Sequence, residues 1–220
     1  MQRRELFTNL TKSPLRSGSL GAKFFTNAKL LTHEGKEVKF YDDLIKGKQV
    51  LLNLMYTNCR GACTPITANL RKVYDELKDR MGRDIFMYSI SLKPEEDGPA
   101  ELKRFAEMHG VPAGPGWTFL TGDPYDITTI RFRLMRWRNP GRDLNASQHS
   151  RMLRVINEPI NRWSGCSALA SHDTIMRVVS FVEPIKPLAV RLRENARIQA
   201  KIDSIDNMSD LPTWLSGLAT

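Results

Sequence analysis

Two cysteines four positions apart are the residues whose type and spacing best suit a reactive or metal-binding site. Cys59 and Cys63 lie in the segment TNCRGACTP, between a predicted buried strand and a predicted helix. At the amino end of a helix, the unpaired N–H groups and the helix dipole favour a thiolate over a thiol. A CxxxC pair can close a disulfide where the backbone bends suitably, and two thiolates also form a soft donor set that suits Cu(I) or Zn(II). The pair is therefore a candidate redox dithiol or metal site, with a chance pair of small core residues as the alternative.

A cuprous ion held by two thiolates is commonly completed by a third ligand such as imidazole, and the chain has four histidines. His33 falls in a predicted hairpin turn, His109 at a helix end, and His172 at the start of the last helical segment. His149 directly precedes the strand-like segment RMLRVIN. From there it could face the carboxyl ends of the buried strands, where open α/β sheets place their sites. A surface histidine is the alternative, so on these grounds the third ligand stays open.

Strands and helices alternate around the cysteines, which predicts an α/β sandwich. Apolar runs typical of buried strands occupy residues 50–56, 85–91 and 117–122. Helical stripes follow each run, starting near Ile66, Pro99 and Pro124, and a last helix or strand is expected over 173–182. Hairpin-like segments at 27–41 and 151–166 indicate a mixed central sheet flanked by helices, with an extra N-terminal hairpin.

The two ends of the chain differ in character from this body. We expect residues 1–26 to be a flexible segment, 27–183 to form the folded domain, and 184–220 to be an amphipathic helical tail. Apolar residues recur in the tail at near-helical spacing among Arg and Lys, so it suits packing on the domain or pairing in a homodimer more than membrane-surface binding.

Localisation is left open by the sequence. Arg3 and Arg4 form a pair like that of a twin-arginine export signal. The apolar stretch of about 7–15 residues that such a signal needs does not follow them. No run reaches the roughly 18 apolar residues of a membrane-spanning helix. We therefore expect neither a complete signal peptide nor a transmembrane anchor.

Composition narrows the function classes. With 220 residues, 41% hydrophobic and 26% charged, the chain is typical of a globular protein and unlike a membrane-embedded or disordered one. Three cysteines are too few for a disulfide framework. Cys166 is interpreted as a small buried residue, with an accessory thiol or a disulfide partner near the site as the alternatives. The net charge of +9 attracts anions. The arginines of residues 131–142 do not share one helix face, so we expect no nucleic-acid binding. We therefore expect the anionic partner to be an acidic protein.

The chain resembles the Sco/SenC family of thioredoxin-like proteins over about residues 27–182. The resemblance is carried by FYDDLIKGKQVLLNLMYTNCRGACTPITANLRKVYDEL, SISLKPEEDGP, FLTG and a histidine before a strand. It implies a thioredoxin fold that binds one copper ion, as Cu(I) or Cu(II), through Cys59, Cys63 and His149. It also implies that the protein delivers copper to, or reduces cysteines of, the copper site of cytochrome oxidase subunit II. A thiol reductant would be a further partner, and the location would be periplasmic or membrane-associated.

Three residues depart from the family pattern. Arg60 and Thr64 stand where the family usually has proline after each cysteine, and Lys93 stands where it tends to have an acidic residue. We expect these changes to affect loop rigidity, thiolate pKa, metal affinity or partner docking. Asn53, Tyr56 and Thr57 are candidates to line the site.

A second hypothesis is a metal-independent thiol–disulfide oxidoreductase or redox sensor that uses Cys59 and Cys63. Proteins of that class typically carry CxxC, so the extra residue weakens the match. A peroxidase, in which Cys59 attacks peroxide and Cys63 resolves the product, is a third hypothesis.

Overall fold

A seven-stranded mixed sheet is the centre of the first of two compact units into which the chain divides, residues 1–183 and 184–220. The computed structural model describes residues 21–59, 61–135, 151–185 and 188–206. The strands are β1 (Lys29–Thr32), β2 (Glu37–Lys39), β3 (Gln49–Met55), β4 (Ile85–Ser91), β5 (Trp117–Gly122), β6 (Met152–Asn157) and β7 (Arg162–Ser167). The helices of this unit are α1 (Gly21–Phe25), α2 (Cys63–Glu76), α3 (Pro99–Met108), α4 (Pro124–Met135) and α5 (His172–Phe181).

The strand order across the sheet is β2-β1-β5-β4-β3-β6-β7. The three central strands β3, β4 and β5 are parallel. An antiparallel hairpin extends the sheet on each side: the β1–β2 hairpin pairs with β5, and the β6–β7 hairpin pairs with β3. The predicted α/β class with a mixed central sheet is confirmed. Because parallel strands end at the same edge, the loops that follow β3, β4 and β5 meet there.

Both faces of the sheet are buried, which explains the unbroken apolar runs of the central strands. Along β3, Leu51 and Met55 point to the face covered by α2, α3 and α5, and Leu52 and Leu54 to the opposite face, with α1 and α4. All seven residues of β3 are buried. The sheet is therefore rigid at the strand that leads into the cysteine segment.

The carboxyl end of the segment that we expect to be flexible, residues 1–26, contains a short helix. Residues 21–25 form α1, and Phe25 is only 2% exposed. Its ring stacks on Tyr41 and Trp163, with centroid distances of 5.9 and 5.0 Å. These contacts join sequence-distant aromatic residues, so the local sequence did not reveal them.

The predicted N-terminal hairpin is also shorter than 27–41. The strand β2 ends at Lys39, and a π-helix follows over Phe40–Ile45. This turn buries Phe40, Tyr41, Leu44 and Ile45 together, whereas a strand would place alternate residues on opposite faces.

The second unit contains the helix α6 (Leu188–Asp206), on which Leu192 and Ile198 are exposed. Homodimer formation through this helix stays a prediction. Within the described part of the chain, every helix is too short or too polar to cross a membrane.

Candidate metal centre

The two cysteines lie where the fold turns from the central strand β3 into α2. A short turn after β3 leads to Cys59, and Cys63 is the first residue of α2. The residue that precedes the helix, Ala62, has no side-chain group to cap the first N–H groups. These donors therefore remain available to an anionic sulfur. Cys59 is half-buried, Cys63 is 2% exposed, and neither is part of a disulfide.

The two sulfur atoms have opposite tendencies to ionise. Burial by itself would raise the pKa of Cys59, but hydrogen bonds from the Cys63 thiol, from the N–H groups of Cys63 and Gly61, and from Tyr56 outweigh burial and lower that pKa. Burial and the hydrogen bond to Cys59 raise the pKa of Cys63. Cys59 therefore ionises more readily than Cys63, and the Cys63 thiol donates a hydrogen bond to the Cys59 sulfur.

This arrangement places a sulfur that ionises more readily beside one that holds its proton more strongly. Cys59 can attack a disulfide, and Cys63 is placed to resolve the mixed disulfide that results. When both sulfurs lose their protons, they form a soft donor pair that fits a cuprous ion. Within residues 21–59, 61–135, 151–185 and 188–206, no three His, Cys, Asp or Glu side chains are grouped to hold a metal. The candidate third ligand, His149, lies outside the described residues.

A buried carboxylate, Asp97, anchors the loop before the cysteines and was missed by sequence reasoning. Asp97 is 1% exposed. It accepts hydrogen bonds from the Thr57 N–H at 3.0 Å, from the Thr57 hydroxyl, and from the Ser91 hydroxyl at 2.5 Å. Its charge also contributes to the raised pKa of Cys63. The network ties the loop after β3 to the end of β4, so it fixes where the cysteine segment begins.

Lys93, one of the three departures from the family pattern, lies over the ring of Tyr56. The ammonium nitrogen is 5.0 Å from the ring centroid and 2.8 Å from a carboxylate oxygen of Glu96. Tyr56 also hydrogen bonds to Cys59, so the Lys93 ammonium and the Cys59 sulfur interact with the same tyrosine. Of the other two departures, Thr64 is the second residue of α2, and Arg60 lies outside the described residues.

Asn53 supports the sheet through an inner network. Its side-chain oxygen accepts a hydrogen bond from Ser89 at 2.7 Å, and the Ser89 oxygen accepts one from the Trp117 indole at 3.0 Å. Of the three residues expected to line the site, Tyr56 bonds to Cys59, Thr57 bonds to Asp97, and Asn53 bonds to Ser89.

Cys166 lies on β7 opposite Leu153 of β6 and is half-buried. Burial raises the pKa of its thiol. It packs against the same core face as Cys59. A thiol of raised pKa reacts slowly, which agrees with the interpretation of Cys166 as a small packed residue.

Alkylation should distinguish the three thiols. With iodoacetamide near pH 7 under reducing conditions, we expect Cys59 to be modified first, because its lowered pKa leaves a larger fraction as thiolate, and Cys63 last. The rate at Cys59 should level off at a lower pH than the rate at Cys166. Trypsin cleavage after Arg60 places Cys59 and Cys63 on separate peptides, so mass spectrometry can follow each. Equal rates at Cys59 and Cys166 would contradict the polarised pair.

The other three histidines occupy positions that local hydrogen bonding, packing or helix position explains. His33 Nδ1 accepts a hydrogen bond from the Phe119 N–H at 3.1 Å. His109 follows α3 and packs on Phe105, with ring centroids 4.2 Å apart. His172 is the first residue of α5, as predicted.

Solved structures of the same architecture support the thioredoxin-like fold. A SCO1/SenC family lipoprotein from Bacillus anthracis str. Ames superposes with a TM-score of 0.57 at 24% identity, over 70% of this chain and 91% of that one. Yeast Sco1 with copper bound superposes with a TM-score of 0.57 at 19% identity, over 77% and 96%. BsSco, described as having a disulfide switch and as a member of the Sco family of cytochrome c oxidase assembly proteins, gives 0.56 at 23%, over 72% and 92%. At these identities the likeness concerns the fold, which is confirmed as thioredoxin-like.

Sequence comparison identifies the family. The SCO1 protein homolog of Bacillus subtilis (strain 168) is 35% identical over 89 residues, which are 40% of this chain and 44% of that protein. The matched segment thus spans less than half of this relative. The family model SCO1/SenC matches residues 18–179, most of the first unit. This chain belongs to the SCO1/SenC family.

Proposed function

We propose that the protein is a copper metallochaperone that binds one copper ion through Cys59, Cys63 and His149 and passes it to a cuproprotein. One observation carries the proposal: Cys59 and Cys63 hydrogen bond to each other at the uncapped amino end of α2, in a member of the SCO1/SenC family. A relative of the same fold, yeast Sco1, has been solved with copper bound. The soft donor set fits that cargo.

The chain's own residues would bind and release the ion. Cys59 is already inclined to ionise, and copper binding would displace the proton of Cys63, which is held in place by its hydrogen bond to Cys59. Two thiolates, one neutral imidazole and Cu(I) carry a formal charge of about −1, which a nearby cation such as Lys93 would stabilise. Ligand exchange with cysteines or histidines of the acceptor would then transfer the ion.

The acceptor we propose is a cuproprotein such as cytochrome oxidase subunit II, in a periplasmic or membrane-associated setting. The net charge of +9 suits an acidic docking surface on that partner. One structural neighbour is described as a lipoprotein, which agrees with a membrane-associated setting.

A second candidate function, thiol–disulfide exchange without metal, is favoured by the opposite pKa shifts of the pair. Oxidation of the two thiols to a disulfide gives up two electrons and two protons, which reduce a disulfide of the acceptor to two thiols. A thiol reductant would then restore Cys59 and Cys63 by the reverse exchange.

Replacing His149 separates the two functions. We expect His149→Ala to weaken Cu(I) binding severely in an anaerobic titration against a competing chelator, while reduction of a test disulfide stays near the wild-type rate. The matched control is His172→Ala, at the start of α5, which should change neither. If His149→Ala binds copper as the wild type does, the proposed ligand set is wrong. If it loses both activities with a normal fold, His149 serves the dithiol itself.

A further inference from the structure

A large cavity lies at the opposite end of the central strands from the cysteines. Its volume is about 690 Å³, within the range of about 300–1,000 Å³ typical of ligand pockets. It is lined at the amino ends of the parallel strands by Lys48 just before β3, Phe86 and Tyr88 of β4, and Thr118 of β5. Neither Cys59 nor Cys63 lines it.

Among the residues that line this cavity is a tyrosine whose hydroxyl has no hydrogen-bond partner among the described residues. Tyr88 lines the cavity and is only 2% exposed. Burial raises the pKa of Tyr88, and hydrogen bonding makes no contribution to that shift. Within the described part of the chain, no group donates to or accepts from its hydroxyl. A cavity-lining hydroxyl without a protein partner is free to donate a hydrogen bond to a polar atom of a ligand.

The charges around the cavity leave one cation unpaired. Glu34 is paired with Lys103 at 3.1 Å, and the Lys48 ammonium bonds to the Asp43 carbonyl and lies 4.5 Å from the Phe86 ring centroid. Lys36, exposed at the rim, forms no ion pair with any described residue. The apolar residues that line the cavity include Val38, Leu44, Phe86 and Pro115. The same cavity therefore combines apolar walls with one unpaired cation, Lys36, and one hydroxyl, that of Tyr88.

We propose that this cavity is a second binding site, for a small ring-bearing carboxylic acid that carries another oxygen at its far end. The carboxylate pairs with Lys36, the ring packs against Phe86 and Leu44, and the far oxygen accepts a hydrogen bond from Tyr88. Neither a simple anion nor a plain hydrocarbon would use both polar groups.

Three related probes and two variants test the site on the full chain by isothermal titration calorimetry. The probes are 6-hydroxy-2-naphthoate, 2-naphthoate, which lacks the far oxygen, and 2-naphthol, which lacks the carboxylate. We expect saturable 1:1 binding of 6-hydroxy-2-naphthoate. Tyr88→Phe should weaken that probe about three- to tenfold and leave 2-naphthoate unchanged. Lys36→Gln should weaken both acids a few-fold and leave 2-naphthol unchanged.

Matched controls keep the result decisive. Lys39→Gln alters a lysine on the same hairpin that does not line the cavity, and Tyr125→Phe alters an exposed tyrosine on α4. Neither should change any affinity. Because Tyr88→Phe removes only an unpaired hydroxyl, its melting temperature should not fall. Absence of saturable binding, equal losses in the control variants, or affinities that Tyr88→Phe and Lys36→Gln leave untouched would each overturn the proposal.

Discussion

Alanine at either Cys59 or Cys63 is expected to abolish stoichiometric copper binding. Each thiolate supplies one of the two soft donors, and the described residues contain no third group placed to substitute for it. Changes to residues that merely support a metal ligand typically cost 10–100-fold in affinity, so loss of a ligand itself should exceed about 100-fold. An anaerobic Cu(I) titration against a competing chelator, with metal analysis after desalting, measures the effect.

Cys166→Ala is the matched control for these variants. It removes a thiol from the same core face, but one on β7, away from the turn between β3 and α2. It should retain one equivalent of copper with affinity within a few-fold of the wild type. If the loss is similar in Cys166→Ala and in Cys59→Ala, copper binding reflects thiol count rather than the CxxxC site.

Replacing Asp97 by alanine should have the largest effect on stability. The substitution leaves the Thr57 N–H, the Thr57 hydroxyl and the Ser91 hydroxyl without their shared acceptor. Hydrogen bonds to a charged group contribute about 1.5–3 kcal/mol each, with incomplete additivity. We therefore expect the free energy of unfolding to fall by about 3–5 kcal/mol, measured by urea denaturation of the reduced protein. Release of the loop should also make Cys63 more accessible to alkylation.

The control for Asp97 is its neighbour Glu95, which is exposed in the same turn. Glu95→Ala should change the free energy of unfolding by no more than about 0.5 kcal/mol. If Asp97→Ala lowers the free energy of unfolding by less than about 1 kcal/mol, with an unchanged m-value in urea, the network does not hold the loop.

The sequence predicted the central strands well because their signals are local. The bounds of β4 and β5 match the apolar runs at 85–91 and 117–122, since strands buried on both faces must be apolar throughout. The helix α1 and the π-helix at Phe40–Ile45 were not predicted. Phe25 is buried by Tyr41 and Trp163, which only the folded chain brings near it.

The sequence predicted the local features of the candidate site and missed those that depend on contacts in the folded chain. A strand-to-helix turn was visible in the pattern, and so was the position of Cys63 at the helix start. The opposite pKa shifts of the two thiols depend on hydrogen bonds across the turn, which no spacing rule supplies. Asp97 lies 34 positions after Cys63 in an acidic, proline-containing segment that reads as a helix start, so its bond to Thr57 could not be inferred.

X-ray absorption spectroscopy of the Cu(I)-loaded full chain tests the central claim most directly. We expect one copper ion per chain with two sulfur ligands and one imidazole nitrogen. In Cys59→Ala and Cys63→Ala, any copper that remains should show fewer sulfur ligands, whereas Cys166→Ala should give the wild-type spectrum. A wild-type copper shell of nitrogen and oxygen alone, or one whose sulfur ligands persist in Cys59→Ala and Cys63→Ala, would contradict the proposed copper site.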